Sequence, residues 1–351
     1  AIRTNHVRQK KLTMFDQFKN SPRFLVLCLS LLLSSPAVAD QKGDEGRVDE
    51  IHDDWSEWVL ETANRVDGFF SNSQPAEVDQ QTRLRAFVRV RYDGNEGTKL
   101  SPGVRARISL PKTENRLKLI LGDDEDEGRI NDLDENQQNI SLQLRGKRET
   151  ALKQIRFDLG IRRRDGSYQP YVRARQSKTF KTGGPWLPRL TNSFYYFTKS
   201  KFEYRGQADF DRVIGTDYFF RPSTVLRWYE NNSSQCDDGW CLDQYFSLYE
   251  KLRRSKSEAI AYDFEIFLRD KPEFTVYDAV LKVRYRRMTK KKWLFWELEP
   301  GVHFPAEHDH DPTFRFTVRL EGIFGYNTTV NINENFMPVK APWDATNQST
   351  D

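Results

Sequence analysis

The chain has 351 residues, of which 30% are charged and 13% aromatic, and its mean hydropathy is -0.76. After residue 40 no apolar run approaches the roughly 20 residues of a membrane-spanning helix, so the sequence excludes a helical membrane protein. It does not exclude a transmembrane β-barrel, because only every second residue of such a strand faces lipid and the average stays polar.

The first distinct element is a short apolar run that follows two basic residues. The run 24–33 is too short to span a bilayer and is typical of a signal-peptide core. Ala37 and Ala39 then form a small-x-small site that predicts cleavage after Ala39. We therefore predict an upstream extension over 1–13 and a signal peptide over 14–39; a short core helix or an uncleaved anchor is the alternative.

Removal of the signal peptide changes the charge balance of the chain. The full sequence has 55 basic and 51 acidic residues, and residues 1–39 hold six of the basic ones and one of the acidic ones. The mature chain then has 49 basic and 50 acidic residues. A nearly neutral chain gives no electrostatic support for binding nucleic acid.

Two cysteines remain after cleavage, Cys236 and Cys241, in a polar stretch. In an exported protein, an even pair that closes a small loop predicts a disulfide. A metal site would need more ligands nearby, and a redox pair would favour the tighter C-x-x-C spacing.

Residues 48–70 are predicted to form one helix within a periplasmic segment, 40–81. Ile51, Trp55 and Val59 recur at helical spacing, and the opposite face is acidic. An acidic face argues against binding to an anionic lipid surface. Two positions stay open for the helix: at the entrance of a barrel, as a cap or plug, or tethered at its surface.

From residue 82 the hydrophobic period changes to two. In 83–92, for example, apolar residues occupy the even positions, and arginine occupies the odd positions except that of Phe87. The pattern recurs in segments of about ten residues with no helix between them, which is typical of a transmembrane barrel. The candidate strands are 83–92, 103–110, 115–121, 139–146, 153–163, 169–180, 188–198, 203–213, 217–229, 242–253, 258–269, 274–286, 293–303 and 313–325.

The predicted fold is all-β: a transmembrane antiparallel up-and-down barrel over 82–325, with about 14 strands (12–16) and a short N-terminal periplasmic helix. A disordered tail is expected over 326–351. Longer connections, including 93–102, are assigned to the outer side. A soluble periplasmic barrel or a β-sandwich is the alternative. Aromatic residues near strand ends predict interfacial girdles: Trp186, Tyr195, Tyr196, Phe219, Phe220, Trp228, Tyr229, Trp240, Trp293 and Trp296.

The strand residues that alternate with the apolar ones are predicted to line the barrel lumen. They are mainly basic on the first six strands and more acidic on the later strands. The excess of arginine on one wall predicts that a channel would select anions. The structural alternative is that these charges pair and fill the interior. The predicted lumen-lining residues are Arg83, Arg85, Arg89, Arg91, Arg105, Arg107, Arg156, Arg173, Arg175, Glu265, Glu297, Glu299, Arg315 and Arg319.

Two loops are candidate chemical sites. The acidic run 123–127 lacks the residue order of an EF-hand and is predicted to be solvated. The stretch 303–311 holds three of the five histidines, including His308 and His310. Its spacing matches no metal motif, and no nucleophile elbow is present, so we predict no catalytic residue, no metal and no cofactor.

The C-terminal stretch, with Trp293–Pro300, Phe304–Pro305 and Phe314–Gly325, resembles a family of uncharacterised proteobacterial outer-membrane barrel proteins. The resemblance runs from about residue 82 to residue 325 and implies a location but no catalytic residues. One departure is that a polar tail follows Phe324, whereas many barrels end on an aromatic residue.

The function predicted from these features is a porin-like channel for small polar or anionic solutes in the outer membrane of a Gram-negative bacterium. A non-conducting structural or receptor barrel with a filled lumen is the alternative, and an outer-membrane lipid hydrolase is the third. The expected partners are outer-membrane lipid, lipopolysaccharide and the barrel-assembly machinery, without nucleic acid; the oligomeric state is left open.

Overall fold

The structure is a computed structural model of the chain. It describes residues 58–63, 65–67, 69–70, 83–110, 117–122, 139–146, 155–164, 166–180, 185–231, 239–252, 257–270, 273–291 and 293–325. The predicted signal peptide, the acidic run 123–127, Cys236 and the tail 326–351 lie outside these residues.

Fourteen antiparallel strands form one closed barrel, which confirms the predicted fold class. The strands follow the period-two segments of the sequence closely. Their bounds are β1 Arg83–Asp93, β2 Gly97–Ser109, β3 Leu117–Leu121, β4 Asn139–Arg145, β5 Ile155–Arg164, β6 Ser167–Thr179, β7 Leu187–Phe197, β8 Lys201–Ile214, β9 Tyr218–Tyr229, β10 Gly239–Lys251, β11 Glu258–Arg269, β12 Thr275–Met288, β13 Leu294–His303 and β14 Thr313–Phe324.

Each strand pairs with its neighbours in sequence, and the barrel closes where β1 pairs with β14. In this closing pair Val88 lies opposite Leu320. Because the strand number is even, β1 begins and β14 ends at the same edge of the barrel. We call this edge, marked by Arg83 and Phe324, the lower rim, and the opposite edge the upper rim.

Alternate residues of each strand point to opposite faces of the wall. In β7 the buried residues are those at odd positions, from Leu187 to Phe197, and the residues between them are more exposed. The exterior positions are mainly apolar, and Leu100, Val104 and Leu159 are about 60% exposed (65%, 58% and 63%). An apolar exterior and a polar interior follow directly from the dyad pattern.

The first connection is shorter than the sequence suggested. The prediction of a long outer loop over 93–102 was wrong, because β1 extends to Asp93 and β2 begins at Gly97. The backbone N–H groups of Asn95 and Glu96 donate to Asp93 Oδ1 over 3.0 and 3.3 Å. Gly97 has a φ of 80°, which favours glycine. These contacts close a tight turn.

Three of the predicted girdle residues face inward. Tyr195, Phe219 and Tyr229 are at most 2% exposed and lie on the interior face. On the exterior, Trp228 and Trp240 lie with their ring centroids 6.4 Å apart near the upper rim, and Trp293 stacks on Phe324 at the lower rim. The sequence pattern near a strand end does not fix which face an aromatic side chain takes.

A helix, α1, lies inside the lower rim, and its described residues are 58–63, 65–67 and 69. Its apolar side chains pack against interior residues from seven of the strands. The cluster contains Trp58, Val59, Ala63, Val66, Phe69 and Phe70 from the N-terminal segment, together with Leu187, Val213, Phe219, Tyr249, Ala259, Ala261, Phe295 and Ile323 from the wall. The start of the predicted helix, 48–57, lies outside the described residues.

No helix among the described residues has the length and apolar character needed to cross a membrane.

Candidate functional site

The candidate site is the charged interior of the barrel. The structure places the predicted lumen residues on the interior face, with one exception: Arg83 lies in β1, but its side chain is outside the described part. Eight are less than a tenth exposed, namely Arg85, Arg89, Arg107, Arg156, Arg173, Arg175, Glu265 and Glu297. Arg91, Arg105, Glu299, Arg315 and Arg319 have intermediate exposure.

The wall formed by β1–β6 is strongly basic. Among its described interior side chains that are buried or partly buried, eleven are cationic and two are carboxylates. The cations are Arg85, Arg89, Arg91, Arg105, Arg107, Lys118, Arg145, Arg156, Arg162, Arg173 and Arg175, and the carboxylates are Asp93 and Asp158. Charges of one sign on a concave, low-dielectric wall concentrate counter-ions near it. We name this surface the basic wall.

The wall formed by β7–β14 contains cations and carboxylates in similar numbers. Its arginines are matched to acids on adjacent strands: Arg284 Nε lies 2.5 Å from Asp263, and Arg286 Nη1 lies 3.2 Å from Glu297. Arg189 lies 3.1 Å from Asp209 in the same way. Because these charges compensate one another locally, the net field of the interior comes mainly from the basic wall.

Several cations of the interior lie directly opposite one another in the strand register. Arg85 is opposite Arg105, Arg156 is opposite Arg175, and Arg89 is opposite Arg319 across the closing pair. Like charges in such positions destabilise a sheet. The arrangement is therefore not the one that folding stability alone would select.

At the lower end of this interior, α1 packs against β7–β11, β13 and β14. Phe70 lies with its ring centroid 5.0 Å from that of Tyr249, and the Arg284 guanidinium is 5.2 Å from the Phe70 ring centroid. Arg221 donates hydrogen bonds to Asp67 of the helix and to Asp211 of the wall. Apolar packing and the buried contact between Asp67 and Arg221 thus hold the helix against the barrel wall.

His303 lies near the upper rim between two carboxylates. Its Nε2 is 3.1 Å from Asp93 Oδ2, and its Nδ1 is 3.3 Å from Asp278 Oδ2. Arg315 Nε donates to the same Asp93 oxygen over 2.8 Å. The four residues come from β1, β12, β13 and β14, so they connect the strands around the closing pair.

The other loop histidines are separate from this cluster. His308 belongs to a short 3-10 turn, Ala306–His308, and is exposed. His310 Nδ1 lies 2.9 Å from the Phe304 carbonyl oxygen. Within the described residues, no group of three or more His, Cys, Asp or Glu side chains is placed to hold a metal ion.

The predicted disulfide is only half described. Cys241 is 1% exposed, faces inward and packs beside Tyr229. Cys236 is outside the described residues, so its pairing with Cys241 stays a prediction.

Sequence reasoning missed the contribution of the middle strands to the basic interior. Arg205, Arg221, Arg227 and Arg269 are all interior and at most 7% exposed. A strict count of alternate positions in β8–β11 would have found them. No sequence pattern could predict the contact between Asp67 and Arg221, because the two residues are far apart in the sequence.

The residues therefore define a closed 14-stranded antiparallel barrel with an apolar exterior, a charged interior and a helix at one mouth. Solved structures to which the chain is similar include a bacterial polysaccharide outer membrane secretin, with 10% identity, a TM-score of 0.41 and coverage of 72% of this chain and 100% of that one. The outer membrane channel DcaP of Acinetobacter baumannii has 10% identity, a TM-score of 0.40 and coverage of 72% and 100%.

OprB of Pseudomonas putida has 8% identity, a TM-score of 0.42 and coverage of 70% of this chain and 94% of that one. No protein-family model matches the sequence, and no curated protein matches it.

Proposed function

We propose that this chain is a porin-like barrel of the bacterial outer membrane that passes small anionic solutes. The observation that carries the proposal is the division of each strand between an exposed apolar face and a charged inner face. Strands β5–β14 have 10 to 14 residues, which is enough for a tilted strand to cross a bilayer.

The apolar run 24–33 and the small residues before Asp40 support export of the chain. Export places the barrel in the compartment from which outer-membrane proteins are assembled, and the apolar exterior then requires lipid. In this orientation the lower rim, where the chain ends of the barrel meet, faces the periplasm.

The basic wall supports the preference for anions. Cationic side chains that face an aqueous path lower the energy of an entering anion and raise that of a cation. The wall formed by β7–β14 adds little net charge, since Arg284 and Arg286 are paired with acids. The selectivity is therefore expected to depend on β1–β6.

In the structure α1 lies in the lower mouth, and we propose that it closes this mouth and that its displacement opens it. Helix residues Val59, Ala63 and Val66 are at most 1% exposed against the wall. A closed resting state agrees with the low exposure of the interior arginines.

One observation favours a second function, a non-conducting barrel with a filled interior. Charged interior residues such as Arg85, Lys118 and Asp243 are at most 3% exposed, which is low for side chains that border a water-filled path. In that case the barrel would act as a structural or binding protein.

Single-channel conductance in a planar bilayer with a salt gradient separates these two functions. The purified chain should be compared with Asp67→Arg, which places a second cation beside Arg221 and should displace α1. We expect brief, anion-selective openings in the first protein and long openings in the second. Absence of conductance in both would favour the filled barrel.

The proposal that the chain is not an enzyme has its own test. His308→Ala and His310→Ala should leave any lipid hydrolysis by the purified chain unchanged. Loss of such activity in either variant would assign catalysis to the histidine loop.

A further inference from the structure

Polar side chains occupy one part of the barrel exterior, halfway along the strands. Asn192 is the central residue of β7, and Thr224 and Gln244 lie within one residue of the centres of β9 and β10. All three belong to the alternate positions that face outward. Gln176 on β6 joins them, directly opposite Asn192. We name these four residues the outer polar patch.

The rest of the exterior carries apolar residues at this height. Among the described residues near the centres of the other strands, the outward positions hold aliphatic or aromatic side chains, proline or glycine. Val88 on β1, Leu142 on β4 and Val318 on β14 are examples. Charged exterior residues such as Arg163 and Glu250 lie near strand ends. The outer polar patch is thus confined to one side of the wall.

The depth of the patch in a membrane limits what can contact it. The centre of a membrane-spanning strand lies among lipid tails, which offer no hydrogen-bonding groups. An amide there is costly unless it finds a hydrogen-bond partner, and polar side chains at this depth typically meet another protein surface. Lipid head groups lie at the strand ends and do not reach it. The patch therefore indicates contact with protein.

The hydrogen bonds within the patch use the oxygens of its amides. Tyr204 Oη donates to Asn192 Oδ1 over 2.9 Å, and Thr224 Oγ1 donates to Gln244 Oε1 over 2.6 Å. Within the described part of the chain, Asn192 Nδ2 donates no hydrogen bond, and Gln244 Nε2 has only the Tyr245 carbonyl oxygen, at 3.4 Å. The amide N–H groups are therefore left to bind an acceptor outside the barrel.

Tyr204 is held in the position from which it binds the Asn192 amide. Its ring packs against Phe194 with ring centroids 5.1 Å apart. A Cβ on Gly206 would lie only 2.6 Å from Tyr204 Oη, so glycine at this position leaves room for the phenol. With its carbonyl oxygen bound to Tyr204, the Asn192 amide keeps its two N–H donors for another partner.

A second copy of the chain is the partner that these groups fit. An amide carries N–H donors and a carbonyl oxygen with two lone pairs, so two amides can hydrogen-bond to each other. Copies inserted in the same direction are related by an axis along the membrane normal, which keeps every residue at its depth. The strand-centre amides of one copy therefore face those of the other. The patch is uncharged and so requires no oppositely charged partner.

We propose that a second copy of this chain packs on the outer face of β7–β10, and that the amides of Asn192 and Gln244 hydrogen-bond across the contact. This rests on the membrane location of the barrel and goes beyond its proposed channel function. Because both copies contribute the same patch, the contact is two-fold and the assembly is a dimer. Each barrel keeps its own interior.

The test is cysteine cross-linking of the full chain in outer membranes with a membrane-permeant bis-maleimide. Leu226 on β9 and Leu142 on β4 are outward-facing leucines of similar exposure, 37% and 40%, on strands five apart in the barrel. Leu226→Cys lies beside the patch and leaves its amides in place. It should give a product of twice the chain mass, whereas Leu142→Cys should give the background of the wild-type chain.

The decisive variant removes the amides and keeps the cysteine. Leu226→Cys combined with Asn192→Leu and Gln244→Leu should cross-link at least about fivefold less, because each copy loses two hydrogen-bonding groups of the contact. Leucine faces lipid at least as well as an amide, so the strand content by circular dichroism should equal that of wild type. The matched control is Phe246→Leu, an apolar change on the same face, which should keep the yield.

Three results would overturn the inference. Equal yields from Leu226→Cys and Leu142→Cys would indicate random collision, and an unchanged yield after loss of both amides would remove their role. A cross-linked product that contains a different protein would replace the second copy. Conductance separates this inference from the channel function. A chain that conducts but gives no dimer overturns only the inference, whereas a dimer without conductance supports the inference and favours the filled barrel.

Discussion

Asp67 on α1 accepts a hydrogen bond from Arg221 on β9, and both side chains are almost completely buried. Arg221 also binds Asp211 on β8, with 3.0 Å between Nη2 and Oδ2. One guanidinium therefore holds the helix and the wall together at the lower mouth. Since two cations repel each other strongly when both are buried, a cationic substitution at Asp67 should displace the helix.

Asp67→Arg should release α1 from the mouth. The substitution places two guanidinium groups together in a buried setting, which is expected to weaken docking by 3 kcal/mol or more, on the order of an unpaired buried charge. The measurement is the rate of chymotryptic cleavage at Phe69 and Phe70, which are 1% and 2% exposed when the helix is docked. Cleavage should become much faster.

The control is Asp67→Asn, which keeps an oxygen to accept from Arg221 and leaves the pairing with Asp211 intact. Its cleavage rate should stay near that of wild type. If both variants are cleaved equally fast, loss of the carboxylate alone releases the helix, and repulsion between two guanidinium groups is not the cause.

Phe70→Ala should also loosen the helix, by removing apolar contact rather than charge. The ring packs against Phe69, Tyr249 and the Arg284 guanidinium. Truncation of such a buried ring is expected to weaken docking by about 3 kcal/mol, and mean open time in planar bilayers should lengthen. Arg65→Ala serves as the control, because its ion pair with Glu61 is exposed and contributes little.

The closure of the mouth should depend on pH. Burial raises the pKa of the Asp67 carboxyl above its ordinary value, because desolvation and the nearby Asp211 outweigh the attraction of Arg221 and Arg189. A carboxyl with a raised pKa binds its proton more tightly when docked than when free. Docking is therefore strongest below the ordinary pKa of about 3.9 and weakens as pH rises through the raised value.

We expect open probability to increase as the pH rises above about 4, and to vary less in Asp67→Asn, which has no proton to lose at this position. Conductance recordings at fixed salt measure both. The same pH response in Asp67→Asn and wild type would assign the effect to another group.

His303→Ala should destabilise the barrel near its closing pair. It leaves Asp278 and Asp93, which are 4% and 1% exposed, without the imidazole contacts at 3.3 and 3.1 Å. A lost partner for a buried carboxylate is expected to lower the free energy of unfolding by about 2 kcal/mol. Urea unfolding in lipid vesicles measures the change, and exposed His308→Ala should leave the midpoint unchanged.

The fold was predictable from the sequence because the period-two pattern indicates where each strand lies and which of its residues face outward or inward. β11 was predicted with its observed bounds, Glu258–Arg269. The largest error was the start of β2, predicted at residue 103 and observed at Gly97. Proline and glycine are unfavourable inside strands, so Pro102 and Gly103 argued against a strand at this place. The Phe87 ring fills the space beside Gly103, and a Cβ on residue 103 would lie 2.3 Å from that ring.

The candidate site was predictable in its residue types but not in its arrangement. Interior arginines follow from alternation, yet their arrangement across the wall depends on which residue of each strand lies opposite which residue of the next. That register is set by the turns and by the whole closed sheet, so no local pattern contains it. The position of α1 in the mouth was one of two open alternatives for the same reason.

The pairing of β1 with β14 has a consequence for the order of assembly. It joins the two ends of the barrel sequence, and pairings between distant segments form late because loop closure precedes their stabilisation. The binding surface for α1 includes Leu187, Phe219 and Ile323, which share one rim only after this pairing has formed. We therefore expect α1 to dock last. A barrel whose β14 has not yet paired with β1 lacks the complete docking surface for the helix.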